Sequence, residues 1–129
     1  MKFILDTHAL IWFFSGHSNL SNTVRELMED TNHEKFISIA SVWEMAIKQS
    51  KGKLTLLVPL ENYITQKINL ADFALLSIQL NHLGIISTLP FHHNDPFDRL
   101  LIAQAIAENI PIMSRDGVFD AYPVKRIWD

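Results

Sequence analysis

Four carboxylates stand where an apolar run ends or a helix begins: Asp6 after Phe3-Ile4-Leu5, Glu44 in Ser41-Val42-Trp43-Glu44, Asp98 in Asp95-Pro96-Phe97-Asp98-Arg99, and Asp116 after Ile112-Met113-Ser114-Arg115. Brought together, like charges raise one another's pKa and destabilise the site unless a divalent cation balances them. Carboxylate oxygens are hard ligands that suit Mg²⁺ or Mn²⁺. The chain has no cysteine and no paired-histidine spacing, so a structural zinc site is hard to build.

Such a site needs a scaffold that carries the ends of distant segments to one place. At 129 residues, 48% hydrophobic and 19% charged, the chain has the composition of one globular domain, long enough for a real core and too short for two. The longest strictly apolar stretch, Ala9 to Phe14, falls far short of the roughly 20 residues that cross a bilayer. Asp6 interrupts the N-terminal apolar run before an export signal develops. A cytoplasmic, membrane-free protein is expected, which the absence of cysteine allows. The formal charge of −3 argues only weakly against a nucleic-acid partner, because setting the four acids aside leaves +1 and a bound cation adds more.

Strand and helix patterns alternate along the chain. Lys2 to Leu5 reads as a strand, Thr7 to Ser15 as a helix closed by Gly16, and about Ser21 to Asp30 as a helix with Val24, Leu27 and Met28 on one face. Phe36, Ile37 and Ile39 suggest a second strand, and Ser41 opens a helix that stops at Lys51-Gly52. Pro59 fits the first turn of a helix running to about Leu70. The continuous apolar run Phe73 to Ile78 predicts a strand covered on both faces. A short helix over Gln79 to Ile86, a polar loop over Pro90 to Asn94 and a deeply buried helix from Pro96 to Glu108 follow, with Ile110 to Ser114 and Val124 to Ile127 as the last strands. No internal repeat or linker interrupts the pattern, which implies an α/β fold with a mostly parallel sheet and helices on both faces.

Ligands of such sheets bind beyond the carboxyl ends of the strands. Asp6 and Asp116 each follow a strand directly, and Glu44 and Asp98 each fall three residues after an N-cap candidate, Ser41 and Asp95. Every acid also has a local alternative. Ser41 to Glu44 matches a capping box, Asp98 complements a helix dipole, Asp6 suits a helix cap and Asp116-Gly117 suits a turn. Taken singly, each local role is the commoner one, and the joint pattern leaves metal binding and local roles evenly balanced.

The segments Leu5-Asp6-Thr7-His8-Ala9-Leu10-Ile11-Trp12, Ser41-Val42-Trp43-Glu44-Met45-Ala46-Ile47-Lys48 with Lys51-Gly52-Lys53-Leu54, and His93-Asn94-Asp95-Pro96-Phe97-Asp98-Arg99-Leu100-Leu101-Ile102-Ala103-Gln104-Ala105 resemble the signature segments of PIN-domain toxins of the VapC type. Ser114-Arg115-Asp116 and Tyr122 to Trp128 agree, so the resemblance spans the chain in order as a single PIN domain over residues 1–129. It implies a three-layer α/β/α fold whose parallel sheet has the order 3-2-1-4-5, with the strand before Asp6 beside the strand before Asp116. It further implies a Mg²⁺- or Mn²⁺-dependent endoribonuclease, the toxin of a type II toxin-antitoxin pair. Such a toxin is a homodimer silenced by a small VapB-like antitoxin. Arg115 stands where a small residue is frequent, and Asn94 where a basic or small one is.

In that reading Asp6, Asp98 and Asp116 hold a cation, and Glu44 binds a second ion or orients the attacking water. Asp6 or Asp116 accepts its proton, and structured RNA is cut to a 5′-phosphate and a 3′-hydroxyl. Thr7 and Ser114 are the hydroxyls expected to steady the carboxylates. Lys48, Lys51, Lys53, Arg99 and Arg115 are candidate phosphate contacts. His8, His92 and His93 could touch substrate, although such histidines more often have no specific role, and Trp12, Phe13, Trp43 and Phe97 could stack bases, with core packing or an antitoxin or dimer contact the commoner fate. The rivals are a PIN-fold binding module without catalysis and a phosphatase with Asp6 as nucleophile, the latter disfavoured by His8 where a second acid is wanted.

Overall fold

The computed structural model describes residues 1–128. Five parallel strands, β1 (Lys2–Leu5), β2 (Glu34–Ser38), β3 (Phe73–Leu76), β4 (Ile112–Met113) and β5 (Arg126–Ile127), form one sheet in the order β3-β2-β1-β4-β5. Six helices intervene: α1 (Thr7–Ser15), α2 (Asn22–Glu29), α3 (Ile39–Ser50), α4 (Leu60–Ala71), α5 (Leu80–Ile86) and α6 (Pro96–Glu108). The α/β class and the sheet order are as expected, and β1 lies between β2 and β4 at the centre.

Strand side chains alternate between faces, so each strand feeds two cores. Phe3, Leu5, Ile37 and Met113 pack with Ala9 and Leu10 of α1, Val24 and Met28 of α2, Met45 of α3 and Ile64 of α4. On the opposite face Ile4 and Ile112 pack with Leu100, Leu101, Ile102 and Ala105 of α6, together with Phe119 and Tyr122. Helix α6 is buried from Arg99 through Ala105, as its nearly all-round apolar sequence demands.

Helix ends follow the side chains available. Ser21 Oγ accepts from the Val24 amide to start α2. Gly16 takes the left-handed conformation (φ 66°) that closes α1. Buried Lys35 donates from Nζ to the carbonyls of Met28 and Asp30, satisfying the end of α2.

Several boundaries differ from the sequence reading, and β4 and β5 are each shorter than read, at Ile112–Met113 and Arg126–Ile127. Helix α3 begins at Ile39 rather than Ser41, because Ser38 Oγ accepts the Ala40 amide and ends β2 one residue earlier than its β-branched Ile39 suggested. Strand β3 stops at Leu76 and lies at the sheet edge, with Ala74 and Leu75 exposed, so its apolar run is not covered on both faces. A 3₁₀ turn over Gly117–Ala121 follows β4, where Asp116-Gly117 suggested a turn. No described helix is long and apolar enough to cross a membrane.

Candidate functional site

The carboxyl ends of β1 and β4 deliver Asp6 and Ser114 to the same rim. Asp6 leaves β1 in extended conformation and caps α1, its Oδ1 accepting from the Ala9 amide at 2.7 Å. Its Oδ2 accepts from Ser114 Oγ at 2.6 Å, and Ser114 Oγ in turn accepts from the Asp116 amide at 3.0 Å. One hydroxyl therefore ties the two strand ends together across the central strand pair, as expected of Ser114. Thr7 serves differently: its Oγ1 donates to Ser41 Oγ at 3.0 Å and joins the start of α1 to α3 rather than holding an acid.

Asp116 caps the 3₁₀ turn with Oδ1, which accepts from the Val118 amide, and directs Oδ2 to His93 Nε2 at 2.9 Å. Asp98 lies in the first turn of α6, but Asp95 does the capping there, its Oδ1 accepting from the amides of Phe97 and Asp98. Asp98 is thereby released, and its Oδ2 lies 3.1 Å from the same His93 Nε2. Ligand atoms of His93, Asp98 and Asp116 all fall within 4.8 Å of one another. Asp98 and Asp116 thus converge directly, while Asp6 is joined to Asp116 through Ser114.

Glu44 approaches from the second turn of α3. Because Ser38 is the cap, the capping-box role that Ser41 suggested for Glu44 does not arise. Glu44 is 8% exposed; its Oε2 pairs with Lys48 Nζ at 3.3 Å, while Oε1 is buried with no hydrogen-bond partner. A buried carboxylate oxygen without a donor is destabilising unless something positive reaches it.

The electrostatics have the same sense. Burial, the neighbouring Asp95 and, more weakly, Asp6 and Glu44 push Asp98 up to about 7 against the opposing pull of His93. Burial also raises Asp6, against the lowering effect of its bonds from Ser114 and Ala9, and Asp116 adds to the rise. Crowded, desolvated hard oxygens with one orphaned acceptor fit a divalent cation such as Mg²⁺ or Mn²⁺. Beside them lies an open depression of about 380 Å³ lined by Asp6, His8, Trp12, Arg115, Asp116 and Gly117.

His93, read from sequence as a loop histidine more often without a specific role, is the hub of the cluster. Its Nδ1 accepts from the Asp95 amide at 3.1 Å, its own amide donates to Tyr122 Oη at 2.8 Å, and its ring packs on Phe119. The only signal in the chain was its place just before the cap of α6.

The basic residues divide. Arg99 is not a phosphate contact: it is 6% exposed and donates to the carbonyls of Leu89, Pro90 and His93, bracing the loop that carries His93, with Phe91 against its guanidinium. Lys48 is paired with Glu44, whereas Lys51, Lys53 and Arg115 are exposed. Among the aromatics, Phe13 joins the core and Trp12 packs on Trp128, while Trp43 is 55% exposed and meets Phe97 edge-on at 5.0 Å.

A five-stranded parallel α/β sheet with an acidic cluster at the carboxyl ends of its central strands defines a class of domain built to gather carboxylates at one rim. The PIN domain family model matches residues 3–125, and the chain belongs to the PIN domain family. Its fold is similar to a chain in the structure of VapBC2 from Rickettsia felis bound to a promoter DNA fragment (TM-score 0.73, 20% identity, 100% of both chains covered). It is also similar to a chain of a toxin-antitoxin complex from Klebsiella pneumoniae (TM-score 0.65, 17% identity, 97% of this chain and 95% of that one). A third likeness is to FitAcB from Neisseria gonorrhoeae (TM-score 0.69, 17% identity, 98% and 96%). No curated protein matches the chain in sequence.

Proposed function

We propose that this chain is a VapC-type toxin, a Mg²⁺- or Mn²⁺-dependent endoribonuclease acting as a single PIN domain over residues 1–129. The observation that carries the reading is the convergence of Asp98 and Asp116 on one point, with Asp6 tied to Asp116 through Ser114 and a buried, unpartnered oxygen on Glu44.

Asp6, Asp98 and Asp116 would hold the cation, with Glu44 at its margin. A cation held there would supply Lewis-acid polarisation of a scissile phosphate, charge compensation in the transition state and a lowered pKa for water. The chain's own groups supply the rest. Ser114 keeps Asp6 Oδ2 in place, leaving Asp6 or Asp116 to accept the proton of the attacking water. Glu44 Oε1, buried without a partner, would orient that water or help hold a second ion. Lys51, Lys53 and Arg115 remain exposed to meet the phosphates of structured RNA. In-line attack leaves a 5′-phosphate and a 3′-hydroxyl without a covalent intermediate.

The phosphatase alternative is weakened by the environment of Asp6, whose two oxygens both accept hydrogen bonds and whose side chain is buried. The toxin-antitoxin complexes it resembles in fold support pairing with a VapB-like antitoxin, and the proposed homodimer rests on the resemblance of its signature segments alone.

Incubation of the purified protein with end-labelled structured RNA tests the proposal. Cleavage is expected with Mg²⁺ or Mn²⁺, and loss of cleavage in excess EDTA and in Asp6→Asn or Asp98→Asn. Cutting that survives chelation, or that persists in those variants, contradicts it.

A further inference from the structure

We infer that His93 competes with the cation for Asp98 and Asp116 rather than joining it as a ligand. The inference rests on the metal-centre reading and assigns a residue that neither the four acids nor the cofactor account for.

The distances alone would suit a ligand, since Nε2 sits 2.9 Å from Asp116 Oδ2 and 3.1 Å from Asp98 Oδ2. The other ring nitrogen decides the matter. A backbone amide can only donate, so Nδ1, receiving the Asp95 N–H, presents its lone pair there. The proton of the neutral ring is therefore on Nε2, which leaves no lone pair facing the acids. The Nε2–H bridges the two acids through one hydrogen bond, to Asp116 Oδ2, and one close charge contact, with Asp98 Oδ2, so a donor rather than a lone pair faces both oxygens.

The ring is not free to exchange its nitrogens. Its backbone amide is held by Tyr122 Oη, whose hydroxyl donates to the Pro90 carbonyl at 2.7 Å, and Arg99 clasps the carbonyls of Leu89, Pro90 and His93. Turning the ring over would break the Asp95 bond and place Nδ1 elsewhere. The loop before α6 therefore fixes a donor, not an acceptor, over the acids. His93 is a positioning residue: it keeps two carboxylates from repelling one another and sets the cation concentration at which they are given up.

Mn²⁺ titrations of the purified wild type, His93→Ala and His93→Gln, with free Mn²⁺ read by electron paramagnetic resonance, separate competitor from ligand without recourse to activity. Removing the bridge should tighten Mn²⁺ binding by about tenfold or more, since a hydrogen bond to a charged group no longer has to be displaced. His93→Gln, whose amide N–H can reach the same oxygens, should return the affinity toward wild type. Weaker or unchanged binding in His93→Ala overturns the inference while leaving the metal centre intact, and absence of binding in wild type and variants alike overturns both. Should His93→Ala fail to fold, ¹⁵N NMR of the wild-type ring decides: the proton is expected on Nε2 both in EDTA and at saturating Mg²⁺. A proton found on Nδ1 with Mg²⁺ bound marks a ligand and refutes the competitor.

Discussion

Replacing Asp98 by Asn should make the protein more stable at pH 8 in EDTA, although it removes a residue assigned to the centre. Asp98 is pushed up to about 7 in the fold, from an ordinary value of 3.8, chiefly by burial and then by Asp95. A group whose pKa is raised on folding binds more protons in the native state between those two values, so it lowers stability as pH climbs from about 4 through about 7. The shift is about three units, and at about 1.36 kcal/mol per unit the ionised side chain opposes folding by about 4 kcal/mol at pH 8. Asn keeps an acceptor for His93 but loses its ionic character, which offsets part of this gain. A net stabilisation of about 2 kcal/mol is expected, several degrees in Tm for a chain of this size. Thermal melts followed by circular dichroism in EDTA at pH 5 and pH 8 read it directly. The Asn variant should melt well above wild type at pH 8, and the advantage should shrink or reverse at pH 5. A variant less stable than wild type at pH 8, or an advantage indifferent to pH, would refute the electrostatic argument.

Other perturbations probe the parts around that carboxylate. Ser114→Ala removes the hydroxyl between Asp6 Oδ2 and the Asp116 amide, both at a buried rim; it should cost about 1–3 kcal/mol in urea unfolding and slow RNA cleavage. Arg99→Met removes the guanidinium from three backbone carbonyls, of which Pro90 keeps the Tyr122 hydroxyl; hydrogen exchange in residues 89–95 should accelerate, and Arg99→Lys, lacking the planar fork, should not restore protection. The double variant Lys51→Ala/Lys53→Ala should fold normally and weaken RNA binding, lowering the salt slope of the affinity by about 1.4 to 1.8 if both lysines contact phosphate. An unchanged slope in filter-binding titrations removes these residues from the interface.

The sequence carried the strand and helix alternation plainly, because period-two and period-3.6 patterns arise from local geometry. Ser21, Gly16 and Asp95 announced their helix ends for the same reason. The sheet order came from the family resemblance, since periodicity says nothing about which strands are neighbours. Where two signals competed, the local reading failed: Ser38 and Ser41 are both caps by type, and β-branched Ile39 favoured the wrong one. The continuous apolar run at Phe73 suggested a central strand, but exposure of Ala74 and Leu75 follows from an edge position that only the full topology fixes.

For the site, the acids and the Ser114 hydroxyl were legible in the sequence, while the His93 contact to Asp98 and Asp116 was not. Asp6 caps its helix and Asp116 opens a turn as their sequence contexts suggested, yet each commits one oxygen to that duty and leaves the other for a distant partner, Ser114 for Asp6 and His93 for Asp116. The roles of His93 and Arg99 depend on one loop closing over Tyr122, 29 residues further along the chain. An arginine beside an acid in a signature segment looks like a phosphate contact until burial shows it bracing backbone carbonyls. No periodicity reports such a contact.

A crystal of the protein soaked in Mn²⁺ and measured at the manganese absorption edge tests the central claim most directly. The account predicts an anomalous peak among the carboxylates of Asp6, Asp98 and Asp116, absent from Asp98→Asn. A peak elsewhere, or none at that rim with Mn²⁺ in excess, contradicts it.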